Sequence, residues 1–573
     1  MIGLIARKLV HRGVLPVISV GLFLPSINSV AQAQTAMVAS DSRLASQVGA
    51  RVLAQGGNAA DAACATALAL GVVNPFASGL GGGGFVLIYS AKTKKAEALD
   101  FRETAPAGLH PELFGQGSDV PDSRSIRGGL AVGVPGEPAG LAQLVRRWGK
   151  QPFANCVEPA ERLARGFPAS PWLVEHVTDE YSRDPAKASE FLAKVLVRPA
   201  GSLSKLRAGD RVRRPQLART LTLLRRKGTE AFYRGTLAQA IVKAVQAENG
   251  VLGYDDLAGY QPVAREPLRT TFLGRRIFAM PPPSAGGVIM LEVLGILDQR
   301  MNTWDPRPFG PHDPTYLHLL VEALKHGFAD RSRYLGDPGF VPIPLSRMLD
   351  PANLQDLAAR IRLDGTLTPD RYGTGEPTAA PPARDAGTAH ISVIDAEGNA
   401  VALSTTINLE FGAHLVAAGI LLNNQMDDFA LARGRQDSFG LVAGDQNAVA
   451  AGKRPLSSMS PTIVLDDKGV ELVLGAAGGP TIISSTVQVL LDALLFGLDA
   501  QTAENAPRLH HQWSPDLLYY EPDFPPAAVE ALRARGQKML ARAKIGKVNL
   551  VIRRPTGLQA APEPRSGGAP AGY

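Results

Sequence analysis

The sequence predicts a mixed α/β (α+β) protein in which antiparallel strands and amphipathic helices share a large core. Two β-hairpins are indicated by β-rich runs joined at polar turns, 395–399 and 466–469. Helices are indicated by apolar residues that recur every three or four positions, as between 217 and 245. The predicted strands are 390–394, 400–407, 462–465 and 470–474. With 573 residues, 45% of them hydrophobic, the chain can bury one large domain or two.

The first 33 residues are typical of an export signal. Basic side chains within the first 12 residues precede an apolar run at 14–24 and the small-x-small pattern Ala31-Gln32-Ala33. An uncleaved membrane anchor is the alternative, although two prolines interrupt the run and it is short for a span. We expect cleavage after Ala33 and a mature chain in the periplasm or outside the cell, without stable membrane insertion.

Residues 40–71 predict two packed helices. Leu44, Val48 and Val52 lie four apart on the first, and the second is rich in alanine, which permits close contacts. The glycine-rich run 78–85 leads into a strand-like segment and lacks the GK[ST] of a phosphate-binding loop, so it predicts tight backbone packing.

Arg102 and the two cysteines give, by themselves, little evidence of a functional role. An arginine beside an acid, here Glu103, is usually a surface salt bridge. Cys64 and Cys156 have neither metal-ligand spacing nor the number needed for a disulfide framework, so we expect both to be free and structural. Residues 128–362 are mostly helical by pattern and predict a scaffold.

Thr388 stands at a sharp change of pattern. Residues 364–387 are rich in Pro, Gly and Ala without a periodic apolar face, which predicts a flexible connector. Thr388 follows it and heads a predicted strand. If the chain is cut between Gly387 and Thr388, the free amine and the hydroxyl give one residue both base and nucleophile. An ordinary strand threonine is the competing interpretation.

Gly478 and Gly479 separate a predicted strand from the apolar helical run 482–496. Glycines in this place expose backbone N–H groups at a helix N-terminus, which is the geometry of an oxyanion hole. A simple strand-to-helix turn is the other interpretation.

Four stretches together resemble the γ-glutamyltransferases, a family of N-terminal nucleophile hydrolases. They are TAHISVIDAEGNAV from 388, the Thr406/Asn408 pair, GILLNNQMDDF from 419 and KRPLSSMSPTIV from 453. The resemblance covers nearly the whole mature chain. It implies a four-layer αββα sandwich and self-cleavage of one precursor into a large subunit, 34–387, and a small subunit, 388–573. It implies no cofactor and no metal.

The resemblance also implies a mechanism. Thr388 would attack the γ-carbonyl of a glutamyl compound such as glutathione, positioned by Thr406, while Gly478 and Gly479 hold the oxyanion. Water, or the amine of an amino acid or peptide, would then take the glutamyl group. The residues implied for binding are Arg102, Ser457 and Ser458 for the substrate carboxylate, and Asn408, Gln425 and Asp428 for its ammonium group.

The chain departs from the family pattern in places. Ala389 stands where a threonine usually follows the nucleophile, so slower processing is expected. The lid loop, 433–452, carries Phe439 where tyrosine is common, which retains an aromatic lid without its hydroxyl and bears on water exclusion. The last ten residues have a composition typical of disorder, yet they resemble the ordered end of the family's small subunit.

Two other functions stay open from the sequence. A related cephalosporin acylase would handle a side chain without the amine that Asp428 pairs with, and a non-catalytic exported binding protein would remain uncut. For Asp428 itself, a capping or salt-bridge role is the alternative. The net charge of +7 is scattered without aromatic interleaving, so a nucleic-acid partner is poorly supported.

Overall fold

A computed structural model describes residues 35–114, 123–373, 387–431, 436–442 and 444–573. The predicted export signal and most of the predicted connector lie outside the described residues, as does part of the lid loop. Among the residues described, no helix is both long and apolar enough to cross a membrane.

The strands and helices of the described residues follow one another along the whole chain. The strands are β1 (Met37–Ser40), β2 (Gly83–Ser90), β3 (Lys95–Phe101), β4 (Phe167–Pro168), β5 (Arg211–Val212), β6 (Val263–Arg265), β7 (Leu268–Phe272), β8 (Arg275–Ala279), β9 (Thr388–Ile394), β10 (Ala400–Thr406), β11 (Val416–Ala417), β12 (Ile420–Leu421), β13 (Thr462–Asp466), β14 (Gly469–Ala477), β15 (Leu509–His510), β16 (Leu518–Tyr520), β17 (Met539–Ala541), β18 (Lys547–Arg554), β19 (Gly557–Gln559) and β20 (Ala571–Gly572). The helices are α1 (Arg43–Ala54), α2 (Ala59–Val73), α3 (Ser123–Ile126), α4 (Glu137–Trp148), α5 (Phe153–Ala164), α6 (Pro171–Arg183), α7 (Pro185–Val195), α8 (Pro215–Lys227), α9 (Glu230–Tyr233), α10 (Thr236–Ala247), α11 (Tyr254–Gly259), α12 (Ala285–Met301), α13 (Pro314–Tyr334), α14 (Leu345–Met348), α15 (Pro351–Arg360), α16 (Thr481–Leu494), α17 (Ala500–Asn505) and α18 (Pro526–Ala534).

Two large antiparallel sheets face each other at the centre. The first has strand order β20-β1-β9-β10-β2-β3-β6, and the second has order β19-β18-β14-β13-β8-β7. Strand β9 packs against β14 and β18 of the opposite sheet, helix α2 covers the first sheet, and helices α12 and α16 cover the second. The chain therefore forms the four αββα layers that the resemblance implied.

Strand β9 is buried on both faces, and its alternating residues divide between two cores. Ile391 and Val393 pack among the helices of the outer layer. On the other face, Ser392 Oγ donates to the Asn549 carbonyl oxygen at 2.8 Å, and the His390 ring lies against Gly475. Burial lowers the pKa of His390 to about 3, so this ring is a neutral packing element between the sheets.

The two predicted hairpins and the first two helices are confirmed. Helix α2 begins after Asn58, whose side chain forms a capping box with Asp61, and this fixes its N-terminus where the sequence placed it. Cys64 in α2 and Cys156 in α5 are both free and buried, as expected.

One feature differs from the sequence-based expectations. The middle of the chain contributes more than helices, because β6 joins the first sheet and β7 and β8 join the second. These strands are short and half exposed, so they lack the apolar run of a buried strand. The last ten residues include the ordered strand that the family resemblance implied, against their composition: β20 pairs with β1 through backbone hydrogen bonds.

Candidate active site

The β9–β10 hairpin places Thr388 opposite Thr406. Thr388 Oγ1 donates to Thr406 Oγ1 at 3.1 Å, and Thr406 Oγ1 donates to the Gly387 carbonyl oxygen at 2.6 Å. The backbone N–H of Asn408 donates to Thr406 Oγ1 at 2.8 Å, which fixes this hydroxyl in turn. The Thr388 hydroxyl is thus held beside the carbonyl group of the residue that precedes it.

Backbone packing around these two threonines leaves no room for side chains. A Cβ on Gly387 would lie 2.7 Å from the Phe76 carbonyl oxygen and 2.9 Å from that of Asn408. In the glycine-rich run, a Cβ on Gly82 would collide with the carbonyl oxygen of Thr406. The predicted tight packing of this run is confirmed, and it lies directly beside the threonine pair.

Gly478 and Gly479 lie between β14 and α16, as the sequence predicted. Both have positive φ angles, 132° and 59°, which glycine adopts readily. Gly479 lines the same pocket as Thr388. The Gly478 carbonyl oxygen accepts a hydrogen bond from Thr481 Oγ1 at 2.7 Å, which holds the turn at the start of α16.

One pocket brings most of the predicted site residues together. They are Arg102, Thr388, Thr406, Asn408, Gln425, Asp428, Phe439, Ser457, Ser458 and Gly479. Gly478 is the neighbour of a lining residue, and Gly387 is covered by the main-chain carbonyls described above. The site residues come from parts of the sequence more than 300 positions apart.

Arg102 is 1% exposed, so the surface salt bridge suggested by its neighbour Glu103 is wrong. Its guanidinium forms an ion pair with Asp428 and donates to the carbonyl oxygens of Pro455 and Leu456, both at 3.2 Å. This ion pair ties β3 to the segment that follows β12 and builds one wall of the pocket.

Glu103 lies behind Arg102 and is fully buried. Its nearer oxygen is 3.6 Å from Arg102 Nη1, and neither carboxyl oxygen has a hydrogen-bond partner among the described residues. Burial raises the pKa of Glu103 to about 8, against the opposing charge of Arg102.

The raised pKa of Glu103 makes stability depend on pH. The unfolded chain releases this proton near pH 4.5, whereas the folded chain keeps it to about pH 8, so folding loses free energy as pH rises between these values. The effect is at most about 1.4 kcal/mol per pH unit. We expect Glu103→Gln to match the wild-type melting temperature at pH 5 and exceed it at pH 9. A difference in melting temperature between the two proteins that stays the same from pH 5 to pH 9 would contradict the raised pKa of Glu103.

Gln425 and Asp428 form one side of the pocket. Gln425 Nε2 donates to Asp428 Oδ2 at 2.8 Å, while Gln425 Oε1 is buried without a hydrogen-bond partner in the described part of the chain. Nearby, Asn408 has a φ of +75° and donates through Nδ2 to the Asn424 carbonyl oxygen at 3.0 Å. A carboxylate and an amide oxygen therefore face the pocket together as hydrogen-bond acceptors.

Ser457 and Ser458 are held by the turn before α12. The Ser457 N–H donates to the Pro283 carbonyl oxygen at 2.9 Å, and the Ser457 carbonyl oxygen accepts from the Ala285 N–H at 2.7 Å. Ser457 Oγ accepts from the Met459 N–H at 3.2 Å, which leaves its own proton available to an acceptor in the pocket.

Phe439 covers Gly479. A Cβ on Gly479 would lie 2.6 Å from the Phe439 ring. The lid turn is anchored through its main chain: Asp437 Oδ1 accepts from the Phe439 N–H at 2.9 Å, Asp427 Oδ2 accepts from the Ser438 N–H at 3.0 Å, and the Phe439 carbonyl oxygen accepts from Gln512 Nε2 at 3.3 Å. None of these anchors needs a hydroxyl on the ring.

The sequence did not identify two charged residues of this pocket, Arg331 and Asp437. Arg331 lies on α13 in the region predicted as scaffold. The available signal was a charge on a buried helix face, since Leu324, Phe328 and Arg331 follow one another at spacings of four and three. Among the described residues, no cluster of three or more His, Cys, Asp or Glu side chains could hold a metal ion.

The fold and the site define the class of the protein. Facing antiparallel sheets between helix layers, with a threonine at the head of a central strand and its hydroxyl beside the preceding carbonyl, form an N-terminal nucleophile hydrolase. Within that class the chain belongs to the gamma-glutamyltranspeptidase family, whose model matches residues 45–573. It is an enzyme of this type.

Known proteins of the same class are similar over most of the chain. Glutathione hydrolase proenzyme of Escherichia coli (strain K12) is 39% identical over 540 residues, which cover 93% of this chain and 91% of that protein. The cephalosporin acylase from Bacillus halodurans is similar in structure, with a TM-score of 0.81 at 28% identity over 94% of this chain and 96% of its own. The gamma-glutamyltranspeptidase from Pseudomonas nitroreducens complexed with L-DON has a TM-score of 0.53 at 31% identity over 58% of this chain and 96% of its own. This chain is more similar in sequence to the glutathione hydrolase proenzyme, at 39% identity, than to the cephalosporin acylase, at 28%, so the acylase alternative is not favoured.

Proposed function

We propose that the chain is an autoprocessing γ-glutamyltransferase that cleaves glutathione and related γ-glutamyl compounds. It passes the glutamyl group to water or to the amine of an amino acid or peptide. The observation that carries the proposal is the Thr388 hydroxyl, held by Thr406 next to the Gly387 carbonyl in a pocket with groups for both a carboxylate and an ammonium. The similar E. coli protein is named a glutathione hydrolase proenzyme, which supports both the substrate and the processing.

Processing begins at the Thr388 hydroxyl. Its oxygen attacks the Gly387 carbonyl carbon, Thr406 donates a hydrogen bond to the carbonyl oxygen as negative charge develops there, and the peptide bond becomes an ester with release of the Thr388 amine. Water hydrolyses the ester. The products are a large subunit that ends at Gly387 and a small subunit that begins at Thr388, derived from a single precursor.

Gly387→Ala is expected to slow this cleavage strongly. The added methyl group would meet three carbonyl oxygens, of Phe76, Asn408 and Leu409, at 2.7 to 3.0 Å, so the scissile carbonyl must leave its place beside the threonine pair. The uncut fraction, followed on a denaturing gel over time, should rise well above that of wild type. Gly365→Ala is the matched control, because a Cβ there meets only the Arg535 carbonyl oxygen at 3.8 Å. Equal cleavage of both variants would contradict the role of Gly387.

In the processed enzyme, the new amine of Thr388 acts as the base. It takes the hydroxyl proton as Oγ1 attacks the γ-carbonyl carbon of the donor, and it returns the proton to the leaving amine. The N–H groups of Gly478 and Gly479 stabilise the oxyanion, a contribution of about 3 kcal/mol for one such donor. Water or an acceptor amine then attacks the glutamyl ester and frees Thr388.

Recognition of the glutamyl group uses both sides of the pocket. Arg102, Ser457 and Ser458 take the α-carboxylate, and Asn408, Gln425 and Asp428 take the ammonium. A glutaryl side chain lacks this ammonium and would leave the carboxylate of Asp428 and the buried Gln425 Oε1 without it, which is costly. The pocket thus suits a γ-glutamyl donor better than the substrate of an acylase.

The remaining parts of the proposal concern the form and place of the protein. We propose that residues 1–33 direct export to the periplasm or the cell exterior, and that the two subunits stay together after the cut, since β9 and β10 of one share a sheet with β2 and β3 of the other. The test of the function is incubation of the purified protein with glutathione. Glutamate release together with two fragments meeting at 387/388 is expected, and an intact chain without glutamate release would overturn the proposal.

A further inference from the structure

Arg331 is a buried arginine at the C-terminal end of α13 that points to the active-site pocket. Its side chain is 3% exposed and lines the same pocket as Thr388, Arg102 and Asp428. Among the described residues, Arg331 Nε has no hydrogen-bond partner. The proposed mechanism does not use this residue.

Other buried arginines of the chain are paired. Arg508 forms ion pairs with Glu504 at 3.2 Å and Glu563 at 3.1 Å, and Arg565 forms ion pairs with Glu521 and Glu563. Arg214 donates to main-chain carbonyl oxygens. Nε of Arg214 and Arg508 also lacks a partner, but both arginines donate through their other nitrogens, whereas Arg331 makes no side-chain hydrogen bond or ion pair to a described residue. Since burying a charge without hydrogen bonds is strongly unfavourable, this state indicates a cation that can bind a ligand entering the pocket.

Arg102 has only part of its donor capacity free for a substrate carboxylate, because Nε and Nη2 are engaged by the protein itself. It already contacts Asp428, two main-chain carbonyl oxygens and Glu103. The pocket therefore contains two guanidinium groups, and the donors of Arg331, unlike those of Arg102, are not engaged by any residue that the structure describes.

The charges around Arg331 come from three elements. Asp437 of the lid turn and Asp428 act on it with opposite charge, and Arg102 with like charge; burial lowers the pKa of Arg331 against the first two. Asp437 uses Oδ1 to accept from the N–H groups of Phe439 and Leu441, so it is committed to the lid turn. Burial raises the pKa of Asp437 well above its usual range, so this carboxyl group balances the charge of Arg331 only weakly.

We propose that Arg331 binds a carboxylate group of the substrate. A guanidinium group matches a carboxylate through two parallel N–H donors, and this geometry favours carboxylates over single-point anions. Two sources supply such a group: the α-carboxylate of every γ-glutamyl donor, and the carboxylate of an amino acid or peptide acceptor. The inference rests on the proposed function, and the assays below separate the two sources.

The kinetic experiment compares Arg331→Met and Arg331→Lys with wild type. The donor is γ-glutamyl-p-nitroanilide, which has one carboxylate, and the acceptors are glycylglycine and its C-terminal amide. A donor KM raised at least tenfold in hydrolysis assigns Arg331 to the donor α-carboxylate. A rise in KM for glycylglycine alone, with no change for the amide, assigns it to the acceptor. Arg331→Lys should recover part of the loss, and kcat should change less than KM in either case.

The control for the helix is Arg333→Met, an exposed position two residues further along α13. It should leave all three KM values unchanged. A structural role for Arg331 predicts a lower melting temperature in Arg331→Met, whereas a ligand-binding role predicts an equal or higher one, because removing an unpaired buried charge relieves its desolvation cost. A lower melting temperature with unchanged KM values would overturn the assignment.

A binding measurement keeps the inference separate from the proposed function. Thermal shift is measured with L-glutamate, its α-amide and glycylglycine for wild type and Arg331→Met. One outcome is that wild type turns over no donor, yet carboxylate ligands raise its melting temperature and do not raise that of Arg331→Met. The proposed function then fails, and the carboxylate site at Arg331 is supported. If neither the assays nor the shifts distinguish the two proteins, Arg331 binds no substrate carboxylate.

Discussion

Thr388→Ala is expected to yield one uncut chain without γ-glutamyl hydrolase activity. The substitution removes the oxygen that donates to Thr406 Oγ1 at 3.1 Å, and with it both the nucleophile for processing and the nucleophile for catalysis. Loss of a covalent nucleophile lowers kcat by a factor on the order of 10⁴ or more. Intact-mass spectrometry should find a single species for the variant and two for wild type, with the junction at Gly387 and Thr388.

Two further variants make this result specific. Thr388→Ser keeps a hydroxyl and should be cut, more slowly because its side chain lacks the methyl group that restricts its rotation. Thr368→Ala, at an exposed position before the cut, should behave as wild type. If Thr388→Ala is cleaved at the same bond as wild type, a contaminating protease makes the cut. If the uncut wild type is active, the free amine is not the base.

Much of the catalytic centre could be predicted from local sequence because hairpins keep their partners close. The predicted hairpin placed Thr388 at the head of a strand, whereas the role of Thr406 came from the family resemblance. In the structure the turn at 395–399 joins β9 to β10, and the register sets these two residues, 18 positions apart, opposite each other. Likewise, the glycines after β14 needed only the strand and the helix on either side to be recognised. In these cases the neighbouring residues in the chain are also neighbours in the site.

Contacts between distant parts of the chain were beyond such reasoning. Arg102 was considered with Glu103, its neighbour, whereas its close ion pair is with Asp428, 326 positions away. Arg331 could not be predicted as a site residue for a related reason. Its helix matches the apolar pattern of a scaffold, and only the folded structure shows that the C-terminal end of this helix reaches the pocket.

The lid illustrates a third limit. The loss of the tyrosine hydroxyl at Phe439 suggested a weaker cover, because the sequence shows side chains and not the main-chain bonds that hold them. The structure supplies the anchors from Asp427, Asp437 and Gln512, each bonded to the main chain of the turn. The ring lies on Gly479 through packing, and these three residues hold the lid turn in place without an aromatic hydroxyl.

Asp428→Asn is expected to lower kcat/KM severely and selectively for γ-glutamyl donors. The carboxylate pairs with Arg102 and accepts from Gln425 Nε2 at 2.8 Å, and it supplies the negative charge that the proposal assigns to the substrate ammonium. Loss of a charge-assisted hydrogen bond in a buried site costs about 2–4 kcal/mol, which corresponds to a fall in kcat/KM of roughly 30- to 1000-fold.

A comparison of substrates with and without the ammonium group distinguishes a loss of substrate recognition from damage to the pocket. A glutaryl amide lacks the ammonium, so its slow turnover should change little in Asp428→Asn, or improve, while γ-glutamyl-p-nitroanilide turnover collapses. Asp445→Asn, at an exposed aspartate of the lid loop, should change neither turnover rate. An equal loss for both substrates would mean that Asp428 acts by holding Arg102 in place, and the ammonium would then have to be bound through Gln425 and Asn408, whose amide oxygens carry no net charge.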